Sequence, residues 1–194
     1  MSSNFLTKPV DWSKYGVVYA GAQKNVGPAG VTIVIARNDL IDAKHRSDTP
    51  LLCDWATFSK AANTFHNTPS CWPIYVCGLN LSYMLQEGGI PTLQAKAAER
   101  SSLLYNYFDS TDGYYVNNVE AKYRSRTNIP FRVCSNEDLE KKFVAEAAAA
   151  NLIELSGHRS VGGCRASLYN AMPIEGVHAL IAFMTAFKDA NPRP

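Results

Sequence analysis

Residues 16–36 read Gly16-Val17-Val18-Tyr19-Ala20-Gly21-Ala22-Gln23-Lys24-Asn25-Val26-Gly27-Pro28-Ala29-Gly30-Val31-Thr32-Ile33-Val34-Ile35-Ala36. Two short β-branched runs, residues 16–20 and 31–36, flank a segment punctuated by glycines and Pro28. That pattern predicts two buried strands joined by a tight loop. A loop of this kind holds a side chain at the end of a rigid sheet, and the side chain in question is Lys24. A lysine partly desolvated there has a lowered pKa and a free amine suited to Schiff-base formation. The plain alternative is an ordinary surface lysine, the usual state of the residue.

Outward from this stretch, residues 38–67 are polar and irregular. Pro69 to Glu87 places Trp72, Val76, Leu79 and Tyr83 at helical intervals, with Gly88-Gly89 as the stop. A second helix is predicted from Pro91 to about Phe108. Beyond it the pattern alternates: strands near 114–117 and 129–134, a helix over about 136–151, strands at 152–155 and 164–168, and a closing helix from about Pro173. Ser135 with Asp138 resembles a capping box, and Leu139, Phe143, Val144 and Ala147 form an apolar stripe behind it. Ile174, Val177, Leu180, Ile181, Met184 and Phe187 do the same in the last helix. The second half therefore reads as a two-layer α+β unit with helices on one face of a small sheet.

Composition narrows the chemistry. The 194 residues are 46% apolar and 19% charged, with a formal net charge of +2 and no long basic run. This is the profile of a globular protein without a nucleic-acid footprint. No apolar stretch reaches membrane-spanning length, and the first residues lack a secretory pattern, so no membrane association and a cytoplasmic location are expected. Cys53, Cys71, Cys77, Cys134 and Cys164 show no CxxC spacing and read as free, mostly buried thiols. His45, His66, His158 and His178 lack paired ligand spacing, so no metal is expected.

Three further clusters carry possible chemistry. Asn67-Thr68-Pro69-Ser70 puts amide and hydroxyl donors at a predicted helix start, where an anion such as phosphate is favoured, or where they simply cap the helix. Gly157-His158-Arg159-Ser160-Val161-Gly162-Gly163-Cys164-Arg165 gathers a histidine and two arginines about a glycine turn. It suits bidentate binding of carboxylate or phosphate, or is a solvated turn. Tyr123-Arg124-Ser125-Arg126 reads as solvated surface, and Tyr105, Tyr107, Tyr114 and Tyr115 as core or hairpin aromatics.

Taken in order, residues 19–30, Asn67-Thr68-Pro69, and Gly157 to Gly163 with Arg165-Ala166-Ser167-Leu168-Tyr169-Asn170 closely resemble the phosphoserine aminotransferases, over the whole chain. The resemblance implies an α/β fold. It would comprise the C-terminal part of the large domain of type I pyridoxal-phosphate transferases (residues 1–100) and a small α+β C-terminal domain (residues 101–194). It further implies pyridoxal 5′-phosphate as cofactor, carried on Lys24 as a Schiff base, with Lys24 moving the proton between substrate Cα and cofactor. Gln23 would line the cofactor, and Asn67 and Thr68 would hold its phosphate across a homodimer interface. Arg165 would take the substrate α-carboxylate. His158 and Arg159 would take the phosphate of phosphoserine or phosphohydroxypyruvate and the distal carboxylate of glutamate or 2-oxoglutarate.

Two departures accompany the match. Phe65-His66 stand where the family usually has an aliphatic residue and a tyrosine. Family members are also nearly twice this length, and the half not represented normally supplies a glycine loop, a ring-stacking aromatic, basic residues and an aspartate for the pyridinium nitrogen. That aspartate lies just before the segment matching Met1-Ser2-Ser3-Asn4. The expectation is therefore a chain that starts right after it, with weakened electron-sink chemistry and apolar strand edges at 16–36 in need of cover. A non-catalytic remnant that binds anions or assembles with a partner chain is the competing reading.

Overall fold

The computed structural model describes residues 1–43 and 46–193; His45 lies outside the described residues. The chain divides into two compact units, one of Met1–Phe5 with Pro9–Glu87, the other of Leu6–Lys8 with Gly88–Pro194.

In the first unit, strands β1 (Val17–Gly21) and β2 (Thr32–Ala36) pair antiparallel from Val17↔Ala36 to Gly21↔Thr32. Alternation sends Val18 and Ala20 into the core and leaves Tyr19 64% exposed. The expectation of two buried strands holds only for the inward side of β1. In β2 Val34 and Ile35, which point to opposite faces, are both exposed, so this outer strand of the two-stranded hairpin is incompletely covered on either side. Residues 38–67 contain two short helices, α1 (Asn38–Ile41) and α2 (Trp55–Ser59), before the long α3 (Cys71–Gln86). Cys77 and Met84 turn inward from α3, while Trp72, Tyr75, Leu79 and Tyr83 form an exposed stripe along it.

The second unit begins with α4 (Gly89–Ser110), entered through Gly88 at φ 103°, a left-handed conformation that glycine adopts without penalty. Residue 100, where the sequence places its division, falls inside this helix, and the compact units part at Gly88. Leu93, Ala97, Leu104 and Phe108 recur at helical intervals and bury one face of α4. Strands β3 (Tyr115–Val116), β4 (Asn128–Val133) and β5 (Cys164–Ser167) form an antiparallel sheet in that order. Helices α5 (Glu137–Ala149) and α6 (Ile174–Ala190) complete the layer. Ile129, Phe131 and Val133 face this layer and are almost wholly excluded from water. Phe143 stands at the centre, its ring within 5.1–5.9 Å of those of Tyr115, Phe131, Phe183 and Phe187. Burying aromatic area on this scale dominates the stability of such a unit.

Several local expectations shift. Residues 152–155 form no strand; a single bridge, Ser156↔Cys164, stands in its place. The cap of α5 is Asn136, whose Oδ1 accepts from the amides of Asp138 and Leu139 at 3.0 and 3.1 Å. Cys53 and Cys71 are exposed, and only Cys77 and Cys164 are buried. Arg124 is no free surface cation: it pairs with Asp109 at 3.3 Å and lies over the Tyr105 ring at 4.7 Å.

Candidate active site

The turn after β1 is built to be rigid. The amides of Val26 and Gly27 both donate to Ala22 O, at 3.0 and 2.8 Å, and the Ala22 amide donates to Val31 O at 2.9 Å. Ala22 and Val26 are fully buried. Asn25, 4% exposed, sends Nδ2 to Ser3 O and Phe5 O at 2.8 and 2.9 Å. From α3, Asn80 Nδ2 donates to Asn25 O at 3.0 Å and to Val26 O at 2.8 Å. Gly27 completes the lock, since a methyl there would meet Cys77 Sγ at 2.6 Å and Cys77 Cα at 3.1 Å. Only a bare backbone lets the turn lie this close to α3.

Lys24 sits on the outer side of this frame and is exposed, as is Gln23. The expected partial burial of Lys24 is absent in the first unit, because the buried positions of the turn are its neighbours Ala22, Asn25 and Val26. The Gln23 side chain folds back on Gly21, where an added Cβ would meet Oε1 at 2.6 Å. The turn thus presents Lys24 from a backbone with little freedom to move. Neither Asn25 nor Asn80 stood out in the sequence. The available signal was an amide residue inside a glycine-punctuated turn and another inside an apolar helix.

Asn67 and Thr68 lie in the same unit but in a different place. They line a hollow of about 290 Å3 with Gly30, Thr32, Phe58 and His66, and Lys24 is not among its walls. Neither residue caps α3, whose N-cap is Ser70 with no side-chain bond. Both residues therefore border a cavity, and neither closes the helix end. His66, at the departure noted above, stands edge-on to Phe58 with ring centres 6.2 Å apart and forms part of the wall. Asn63 and Thr64, at φ 56° and 61°, bend the chain into this position. For a β-branched threonine that conformation is strained, a cost found where surrounding structure imposes it.

In the second unit one continuous segment gathers His158, Arg159 and Arg165. The Gly157 amide donates to Gly163 O, and the amides of Val161 and Gly162 both donate to His158 O, each at 2.8 Å. His158 and Arg159 are exposed on this turn. The Ser160 amide donates to His158 Nδ1 at 3.3 Å, and the Ser160 hydroxyl lies 2.7 Å from the same nitrogen. With Nδ1 accepting, the imidazole proton resides on Nε2, which is then the donor available to an anion. Arg165 projects from the outer face of β5, opposite Pro130 of β4. Its Nε is buried and has no acceptor among the described residues, and Arg126 Nη1 shares that state. An orphaned buried guanidinium N–H costs free energy until an acceptor arrives, and a carboxylate is the acceptor it fits best.

The parts thus suit distinct roles, with an amine on a fixed turn, neutral donors around a small hollow, and a cationic turn beside a half-buried arginine. Among the described residues no helix is long and apolar enough to cross a membrane.

The family model for class-V aminotransferases matches residues 1–180. The phosphoserine aminotransferase of Janthinobacterium sp. (strain Marseille) is 50% identical over 188 residues, covering 97% of this chain and 51% of that protein. The chloroplastic phosphoserine aminotransferase 2 of Arabidopsis thaliana is also 50% identical, over 97% of this chain and 44% of that one. Among solved structures, the phosphoserine aminotransferase from Bacillus circulans subsp. alkalophilus superposes with a TM-score of 0.92 at 42% identity, covering 98% of this chain and 52% of that one. The PLP-bound phosphoserine aminotransferase from Trichomonas vaginalis gives 0.89 at 37% identity over 95% and 52%. An alanine–glyoxylate aminotransferase from Nostoc sp. shares the fold, with a TM-score of 0.77 at 18% identity. The chain spans about half the length of the curated relatives it matches.

Proposed function

The chain belongs to the class-V aminotransferases, and from that premise we propose that it is the lysine-bearing part of an enzyme of the phosphoserine aminotransferase type. The reaction is transfer of the amino group of glutamate to 3-phosphohydroxypyruvate, giving 2-oxoglutarate and O-phospho-L-serine. The observation that carries this reading is the fixed presentation of Lys24, by a turn locked through Asn25 and Asn80, inside the stretch the family model matches. Pyridoxal 5′-phosphate, when bound, supplies the electron sink for negative charge at substrate Cα.

The chain's own residues divide the remaining work. Lys24 Nζ would hold the cofactor and would take and return the substrate Cα proton as general base and acid. Gln23 lines the cofactor beside it. Asn67 and Thr68 donate hydrogen bonds to the cofactor phosphate from their hollow. As the family resemblance implies, Asn67 and Thr68 would serve the cofactor of a second copy, which makes the working unit a homodimer. Arg165 holds the α-carboxylate through the N–H that has no acceptor among the described residues. His158 Nε2 and Arg159 hold the distal phosphate or carboxylate, and one cationic turn accepts either anion as the two half-reactions alternate. The reading assigns the enzyme to the cytoplasm.

A second reading is favoured by the exposure of Lys24 and of the outer hairpin face: a remnant that binds anions or assembles with a partner without turning over. Adding pyridoxal phosphate, reducing with borohydride and mapping the modified lysine separates the claims. Label on Lys24 with conversion of glutamate or phosphoserine supports the enzyme reading. Label without conversion favours the remnant, and label spread over other lysines removes Lys24 as carrier.

A further inference from the structure

The turn that carries His158 and Arg159 rests on an ion pair outside the residues assigned above. Arg132 of β4 places Nε 2.6 Å from Glu140 Oε1 of α5. The Glu140 side chain is 6% exposed, and its Oε1 also accepts from the Val133 amide at 3.2 Å, so the carboxylate is fixed to the strand as well as to the arginine. The other side of Arg132 touches the turn. A Cβ at Gly163 would meet Arg132 Cδ at 2.8 Å, and one at Gly162 would lie 3.8 Å from Nη1. The arginine stem therefore runs beneath both glycines, whose φ values of +73° and +69° place them in the left-handed region. Gly157 closes the turn from the opposite strand of the loop, with no room for a side chain against the Gly162 and Gly163 carbonyls.

Between α5 and this turn lies a hollow of about 530 Å3, bordered by Arg132, Glu140, Lys141, Ser156 and the two glycines. On that side a hollow adjoins the turn among the described residues. Arg132, held straight by Glu140, is the solid contact beneath it. A paired guanidinium is a stiff, planar support, and a displacement of the order of an ångström in a substrate-holding group is enough to cost binding and rate.

We propose that Arg132 and Glu140 are positioning residues that set the height of the His158–Arg159 turn and thereby its grip on the distal anion of the substrate; the proposal rests on the function given above. Neither residue touches substrate. The pair acts through Gly162 and Gly163.

The test uses the whole chain with Arg132→Met, Arg132→Lys and the double variant Arg132→Met/Glu140→Gln, the last leaving no lone buried carboxylate should the first fail to fold. Residue-resolved hydrogen exchange on the ligand-free protein reads the amides of Gly157, Val161 and Gly162 against the Arg165 and Leu168 amides, bonded to Leu155 O and Thr127 O. Expected in the methionine variants is exchange about tenfold faster in the turn with the reference amides unchanged, and partial recovery in the lysine variant. Turn amides that exchange as in the parent overturn the proposal. So does loosening shared equally by the reference amides, which a purely stabilising ion pair produces. In parallel, the preference for O-phospho-L-serine over L-serine should fall about tenfold in the methionine variants. A parent chain with no such preference counts against the proposed function, while the exchange result still decides the positioning role.

Discussion

Replacing Asn25 with alanine tests the lock beneath Lys24. Its Nδ2 donates to Ser3 O and Phe5 O at 2.8 and 2.9 Å from a residue 4% exposed. Each bond contributes about 1 kcal/mol net, and the Phe5 carbonyl left unpaired in a buried setting adds a further cost of about 1 kcal/mol. The first unit should lose about 2–3 kcal/mol, a large share of the stability of any domain. Its three tryptophans, Trp12, Trp55 and Trp72, all lie in that unit, so tryptophan fluorescence during urea unfolding reports it selectively. With a slope of about 1–1.5 kcal/mol/M, the midpoint should fall by about 2 M. Asn25→Asp, similar in shape but unable to donate, should lose at least as much. A midpoint within about 0.3 M of the parent, below the cost of even one such bond, refutes the claim that this amide anchors the turn. A loss of stability in alanine but not aspartate would show that volume, not donation, matters.

Other predictions concern the second unit and the substrate groups. Phe143→Ala, which empties the centre of the aromatic cluster, should cost about 3–5 kcal/mol, read as loss of near-ultraviolet dichroism at lower denaturant. Burial pushes the Cys164 thiol up to about 12, with Glu140 adding to the effect, and burial raises Tyr105 and Tyr114 to about 12. Their folded values exceed the unfolded ones, so their contribution is complete below about pH 8.5 and is lost as pH climbs toward 12. Thermal melts from pH 8 to 11.5 should show a falling midpoint, less steep in Cys164→Ala after its lower baseline is allowed for. Gly27→Ala should cost about 1–3 kcal/mol by overpacking against α3 and slow pyridoxal-phosphate labelling of Lys24. Arg165→Lys should weaken glutamate and phosphoserine alike, by about tenfold, from loss of the bidentate fork, measured by calorimetric titration.

Glycine punctuation and helical periodicity make the turn at 21–30 and the helices α3 to α6 legible in the sequence, since both signals are local. What failed was decided by single backbone angles or by tertiary cover. The apolar run Leu152 to Leu155 looks extended, but Asn151 and Glu154 take φ 62° and break it to one bridge. Cys134 and Ser135 both turn left-handed, at φ 50° and 52°, which passes the capping role from Ser135 to Asn136. An apolar strand run cannot report whether one face or two will be covered, so the exposure of β2 was not readable. The same holds for Lys24, whose burial depends on what packs beside the turn. Asn67 and Thr68 draw notice by residue type at a helix start, yet the hollow they border with Phe58 and Thr32 is formed by residues distant in sequence. Arg132 and Glu140 left no trace because their partnership crosses from strand to helix.

The hydroxyls at the centre of the second unit bear on how it folds in time. Tyr115 OH donates to Met184 O across 69 residues of chain, and Tyr114 OH to Asn191 O across 77. Until α6 has been synthesised and docked, burying either ring strands a phenol without an acceptor. Both phenols therefore gain their acceptors only once α6 is in place, and pairings this distant in sequence slow folding. A chain cut before α6 should therefore expose the aromatic face around Tyr115 and Phe143 and bind chaperones more strongly than the whole chain does.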